Sequence, residues 1–94
     1  MKLNEEMKIL SAAILSLETE EECEKFLTDL MTVREISSMA QRISVARLLQ
    51  EKKTFSEIEE ATGMSSATIA RINKCLQYGA DGYSLVLDKL KQKN

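Results

Sequence analysis

The fold turns on one stretch, Thr54-Phe-Ser-Glu-Ile-Glu-Glu-Ala-Thr-Gly-Met-Ser-Ser-Ala-Thr-Ile-Ala-Arg-Ile-Asn-Lys-Cys-Leu-Gln77. Thr54 with Glu57 three residues on is a capping box, so a helix starts here and runs to about Ala61. Ile58 is its inward residue. Ala61 is small enough to let a second helix come close, and Gly63 stands where the chain must take a left-handed turn. Met64 plugs the corner, Ser65 caps the next helix over about 66–77, and Ile69 and Ile72 carry its inward face. The order of parts is that of a helix-turn-helix. In such a motif the start of the second helix meets base edges and phosphates. Ser65, Ser66, Ala67 and Thr68 stand at that start. Ser and Thr hydroxyls, like N-terminal amides, suit phosphate oxygens. The same geometry occurs in protein-binding domains and plain bundles, so a helical module that binds another protein is the alternative.

Charge around the stretch is mixed. Lys52 and Lys53 directly precede it and Lys74 lies within it. These lysines suit phosphates, although Lys52 and Lys53 also suit the dipole at the end of a helix. Glu59 and Glu60 would face solvent and repel phosphate. The chain has a net charge of −2, but its halves differ: residues 1–30 hold three Lys and eight acids, whereas residues 31–94 hold ten Lys/Arg and seven acids. The second part is where a polyanion could dock.

Helical patterns continue on both sides. Asn4 is read as the N-cap of a first helix over about 5–16, with Leu10, Ala13, Ile14 and Leu17 on one face. Thr19 with Glu22 opens a second, with Cys23, Phe26, Leu27 and Leu30 inward. Thr32 with Glu35 opens a long third helix to about Glu51. Its inward residues are Ile36, Met39, Ala40, Ile43, Ala46 (or Val45) and Leu49. Gly79 and Gly82 break the pattern before a last helix over about Tyr83–Lys91. An all-α chain of about six helices is expected. With 94 residues the chain suits one domain, and its helices carry more apolar surface than so small a monomer can cover. A homodimer is the natural remedy.

Composition narrows the function classes. There is no histidine, which removes the commonest general base and a frequent zinc ligand, and the two cysteines lie 52 residues apart. No glycine-rich phosphate loop or nucleophile–base pattern appears, so neither an enzyme nor a cofactor or metal site is expected. No apolar run approaches the roughly 20 residues of a membrane span, and no signal peptide is read. A cytoplasmic protein that does not meet the membrane is the expectation.

The sequence resembles the tryptophan repressor over about residues 26–90. The resemblance rests on Leu30-Met31-Thr32, the long helix ending Ala46-Arg-Leu-Leu-Gln50, the motif Thr54–Gln77 and the final short helix. Ser66-Ala-Thr-Ile-Ala-Arg-Ile-Asn73 is similar to the repressor's reading helix. The chain resembles most the Trp-repressor-related YerC/YecD group of Gram-positive bacteria. This likeness implies an all-α intertwined homodimer on double-stranded DNA, with dimer contacts mainly in 4–51 and 83–92 and the helix-turn-helix over 54–77. It implies that Ser56, in place of a DNA-facing residue of the first motif helix, belongs with Lys52, Lys53, Ser65, Ser66, Ala67, Thr68 and Lys74 as DNA contacts. It also implies a candidate effector pocket. Arg71 matches an arginine against the repressor's ligand, Ile72 replaces a glycine, Cys75 replaces a serine, and a second arginine falls near Gln41 or Arg42. A branched residue for that glycine crowds an indole, so a small-molecule effector, if there is one, is expected to differ from tryptophan.

Overall fold

The structure is a computed structural model and describes residues 2–93. It is all-α, with six helices: α1 Leu3–Leu15, α2 Glu20–Leu30, α3 Val33–Gln50, α4 Phe55–Thr62, α5 Ser66–Tyr78 and α6 Gly82–Gln92.

The helix ends follow local chemistry. Before α3, the Thr32 N–H donates to Glu35 Oε1 at 2.9 Å while Thr32 Oγ1 accepts from the Glu35 N–H at 3.1 Å. Thr54 and Glu57 repeat both bonds before α4, at the same two lengths. Thr19 Oγ1 caps α2 by accepting from the Glu22 N–H at 3.1 Å, but Glu22 reaches back one residue further than a capping box requires, to the Glu18 N–H at 2.9 Å. Asn4 is not a cap. It lies inside α1, whose N-cap is Lys2, and the Lys2 N–H donates to Glu5 Oε2 at 3.4 Å. A carboxylate three residues on can hold an N-terminus without a capping hydroxyl.

The ends of α3 and α4 need left-handed backbone. Gly63 takes φ 74° after α4, and its N–H reaches the Glu59 carbonyl at 2.8 Å. After α3 the same region is occupied by a lysine, Lys52, at φ 67°. The Lys52 N–H reaches the Leu49 carbonyl at 3.0 Å and the Lys53 N–H reaches the Leu48 carbonyl at 3.1 Å, which together form a Schellman motif.

The chain divides into two compact units, Met1–Ile36 and Ser37–Asn94, with the boundary in the first turn of α3. In the first unit neither α1 nor α2 buries a residue. Ala13, Leu17, Cys23, Phe26 and Leu27 are half-buried, whereas Met7, Ile9, Leu10, Ile14 and Leu30 are exposed. The second unit holds the core: Val45 and Ala46 from α3, Ile58 from α4, Ile69 and Ile72 from α5, and Leu87 from α6. Leu48, Leu49, Met64, Leu76 and Tyr83 pack around it. Each such large side chain taken from water contributes about 1.5–3 kcal/mol, so this cluster is the main stabilising feature of the unit.

The long helix departs from its expected inward face. Val45 and Ala46 are buried and Ile36 and Leu49 are half-buried, but Met39, Ala40 and Ile43 are exposed. Periodicity identified an apolar face on α3, and within one chain only its C-terminal half contributes fully buried residues.

Candidate nucleic-acid interface

The turn between α4 and α5 is Gly63-Met64-Ser65. Thr62 sets its entry, because its hydroxyl donates to the Ile58 carbonyl at 2.7 Å and accepts from the Met64 N–H at 3.2 Å. Ala61, expected to sit against the second helix, is exposed instead. Thr62 and Met64 are the half-buried residues at this corner; Met64 was expected there, whereas nothing in the local spacing marked Thr62. Ser65 Oγ accepts from the Thr68 N–H at 3.2 Å and lies 3.1 Å from Thr68 Oγ1. These bonds hold the start of α5 in place from both sides. Ser65, Ser66 and Ala67 are exposed there and Thr68 is half-buried. Because Thr68 supplies the amide that the cap uses, the amides of Ser66 and Ala67 remain without a partner among the described residues. Such amides, at the positive end of a helix dipole, suit an anion.

Beyond this start, Ala67, Arg71, Lys74 and Tyr78 recur every three or four residues and are exposed, so they form one face of α5. Tyr78 was missed in the sequence; it sits at the C-terminal end, where a turn signal hid it. Lys52, Lys53 and Ser56 are also exposed, and so are Glu59 and Glu60 on α4. The one ion pair among the described residues is Lys25–Glu21 at 3.1 Å, so Arg71, Lys74, Lys52 and Lys53 are not neutralised by a carboxylate of the chain. The Glu57 carboxyl is held below its ordinary range. The Thr54 N–H bond contributes most, followed by the Thr54 side chain, with a smaller contribution from the Lys53 charge.

The four candidate pocket residues converge. Arg42, Arg71, Ile72 and Cys75 line one cleft of about 230 Å³, together with Ser38 and Tyr83. Of the two candidates for the second arginine position, Arg42 lines the cleft and Gln41 does not. Ile72 is 5% exposed and belongs to the core cluster. Its side chain therefore fills structure as well as lining the cleft. Tyr83 and Ser38 were not singled out from sequence, because no periodicity relates them to α5.

Both cysteines are free thiols. Among the described residues no three His, Cys, Asp or Glu side chains gather as a metal site, and no helix is long and apolar enough to cross a membrane.

Comparison with known proteins agrees with this architecture. The family model described as Trp repressor protein matches residues 5–91. The chain is 49% identical over 87 residues to the uncharacterised protein YerC of Bacillus subtilis strain 168, covering 93% of this chain and 84% of that one. A crystal structure of a TrpR-like protein from Eubacterium eligens superposes with a TM-score of 0.87 at 44% identity, over 93% of this chain and 90% of that one. A candidate Trp repressor from Staphylococcus aureus superposes with a TM-score of 0.86 at 40% identity, over 97% and 95% of the two chains. With a family match across nearly its whole length, and relatives of this identity and shape, the chain belongs to the Trp repressor family.

Proposed function

We propose that the protein is a sequence-specific regulator of transcription, a dimeric repressor acting on double-stranded DNA in the cytoplasm. The observation that carries this reading is the start of α5, exposed and fixed by the Ser65–Thr68 bonds, on a helix whose outer face carries Arg71 and Lys74 free of carboxylate partners. The helix-turn-helix is Thr54–Gln77, with α5 as the reading helix. Ser65, Ser66, Ala67 and Thr68 meet the groove edge, while Lys52, Lys53, Ser56 and Lys74 meet phosphates. Each chain is one Trp-repressor-like domain, joined to its partner mainly through residues 4–51 and 83–92. Two such heads would sit roughly one helical turn of DNA apart, about 34 Å. Its relatives described as TrpR-like and as a candidate Trp repressor support this reading.

The direct test is selection of bound sequences from a random DNA pool, followed by a gel shift across a salt series. A paired head presenting Lys52, Lys53 and Lys74 twice makes about six phosphate contacts, so log K should fall against log salt with a slope of about −5. Binding no tighter than to a polyanion control would reject sequence-specific DNA recognition, and an exposed acidic α4 bearing Glu59 and Glu60 would then favour a protein partner. Thr68→Glu separates binding from folding. Ser65 and position 68 stand as N-cap and N3, so a glutamate there completes a capping box and preserves the helix while placing a negative charge at the DNA face.

The regulator is read as unresponsive to tryptophan. The cleft at Arg42 and Arg71 measures about 230 Å³, below the roughly 300–1,000 Å³ usual for ligand pockets, and Ile72 forms part of its wall. Any effector seated there would be small and anionic, held by Arg42 and Arg71. Calorimetric titration with tryptophan should give no heat of binding.

A further inference from the structure

We propose that Asp81–Gly82 is a site of spontaneous backbone modification in the folded protein, where Asp81 closes to a cyclic imide and reopens as isoaspartate.

The reaction needs an aspartate, a following amide free to attack, and no side chain in the way. Asp81 is the only Asp or Asn of the chain that precedes a glycine. It is the N-cap of α6, and Gly82 is the first residue of that helix. A first-turn amide has no carbonyl partner within its own helix. Accordingly, the Gly82 N–H has no acceptor among the described residues. Among those residues the Asp81 carboxyl neither caps the helix nor pairs with a cation. Both residues are exposed, and a Cβ built on Gly82 would meet nothing within 4 Å, so there is room for the ring.

The other candidates lack these conditions. Asp29, Asn73 and Asp88 lie inside α2, α5 and α6, where the following amide is tied to a carbonyl one turn back. After Asn4, the Glu5 N–H is bonded to the Lys2 carbonyl at 3.0 Å.

The backbone favours closure as well. Closure requires Asp81 to rotate away from its present φ 66° and ψ 12°, which lie in the left-handed region. A residue with a side chain occupies that region at a cost, so leaving it is easier than leaving a relaxed conformation. The bond that opposes the rotation runs from the Leu85 N–H to the Asp81 carbonyl, at 3.0 Å, in a first turn that is free to fray.

In the first step the Gly82 nitrogen bonds to Cγ of the protonated Asp81 carboxyl. The amide proton and the carboxyl hydroxyl leave as water. Water then adds to the ring at the backbone carbonyl carbon of Asp81 and breaks its bond to nitrogen. The chain now runs through Cγ, and the former backbone carbonyl is a free carboxylate. One water leaves and one returns, so no oxidant or cofactor takes part and the mass is unchanged. The product has an extra backbone methylene at the N-cap and has lost the carbonyl that Leu85 uses. Tyr83, the next residue, is half-buried against the core cluster and lines the cleft of Arg42 and Arg71. The modification therefore loosens one wall of that cleft as the molecule ages.

Incubation of the folded full chain at neutral pH in heavy-oxygen water tests this. Trypsin in ordinary water then releases residues 75–89, which hold both Asp81 and Asp88. Fragment masses should place the heavy oxygen at Asp81 and not at Asp88, and an isoaspartyl methyltransferase should methylate this peptide. Gly82→Ala fits the open space and should slow labelling about tenfold, equivalent to about 1.4 kcal/mol in the barrier. Asp81→Asn should react faster, because its neutral amide releases ammonia without prior protonation of a carboxylate. Sucrose, which shrinks the unfolded population, should leave the rate at Asp81 unchanged. In the isomerised fraction the Leu85 amide should exchange with deuterium faster. Labelling at Asp81 no greater than at Asp88, or equal in Gly82→Ala, would overturn the site. A rate that falls with sucrose in step with stability would place the reaction in the unfolded chain and overturn it for the folded one. Unchanged protection at Leu85 would overturn the effect on α6.

Discussion

The two units of this chain use the same kind of helix with opposite results. In the first, α1 and α2 carry apolar stripes and bury nothing fully. In the second, one residue each from α4 and α6 and two each from α3 and α5 close a core around Ile58 and Ile69, both 0% exposed. The difference does not lie in the sequence pattern, which is amphipathic in both. It lies in the number of faces that meet. Four helices can surround a common centre, whereas a pair of helices leaves its outer stripes in water. A unit without a core needs a covering surface, and this unit bears the more acidic part of the chain.

The sharpest contrast is between equivalent truncations in the two units. Ile69→Ala should cost about 2–5 kcal/mol, because a fully buried side chain leaves a cavity, and urea denaturation should give the same loss at every protein concentration. Ile14→Ala removes a side chain that is half exposed within its own chain. An unpaired chain would lose no more than about 0.5 kcal/mol. A paired one should lose more, and the fall in melting temperature should widen as the protein is diluted. A concentration-independent loss at position 14 would erase the distinction drawn between the units.

Backbone substitutions give smaller effects. At Gly63 a methyl group would meet nothing within 4 Å, so Gly63→Ala isolates the cost of a left-handed residue, about 1–2 kcal/mol by thermal denaturation. The converse holds at Lys52, which adopts φ 67° with a side chain. Lys52→Gly should raise stability by about 1 kcal/mol while weakening DNA binding through the lost cation.

The smallest expected effect is on pH dependence. Glu35 and Glu57 are both held below the ordinary carboxylate range, chiefly by the N–H groups of Thr32 and Thr54. A lowered folded-state pKa contributes stability that is complete above the unfolded value and is lost as pH falls through the folded one. Acid should therefore fray the starts of α3 and α4, and circular dichroism of Glu57→Gln should show a weaker acid transition.

Much of this was legible in the sequence because it is local. Thr32 with Glu35, Thr54 with Glu57, and Gly63 followed by Ser65 each settle their helix ends through bonds spanning three or four residues. Of the core, Ile58, Ile69, Ile72 and Ala46 were expected inward, and all four are buried. Where the reading failed, the cause was local competition or a distant partner. Lys2 displaced Asn4 as a cap because Glu5 could serve its amide, and Thr62 took the corner expected of Ala61 because its hydroxyl could bond on both sides. Met39 and Ile43 were assigned inward by period alone, yet no helix of their own unit covers them.

By itself, then, the sequence determined the helices, the caps of α2 to α5, the tight turn between α4 and α5 and the family, all of which depend on short-range chemistry or on residue identity. Only the tertiary structure decided that Arg42 rather than Gln41 shares a cleft with Arg71, that Ile72 belongs to the core, and that one of two amphipathic units closes while the other stays open. Those outcomes depend on which helices meet. Periodicity shows that a face is apolar, but burial also requires a second surface in place to exclude water from it.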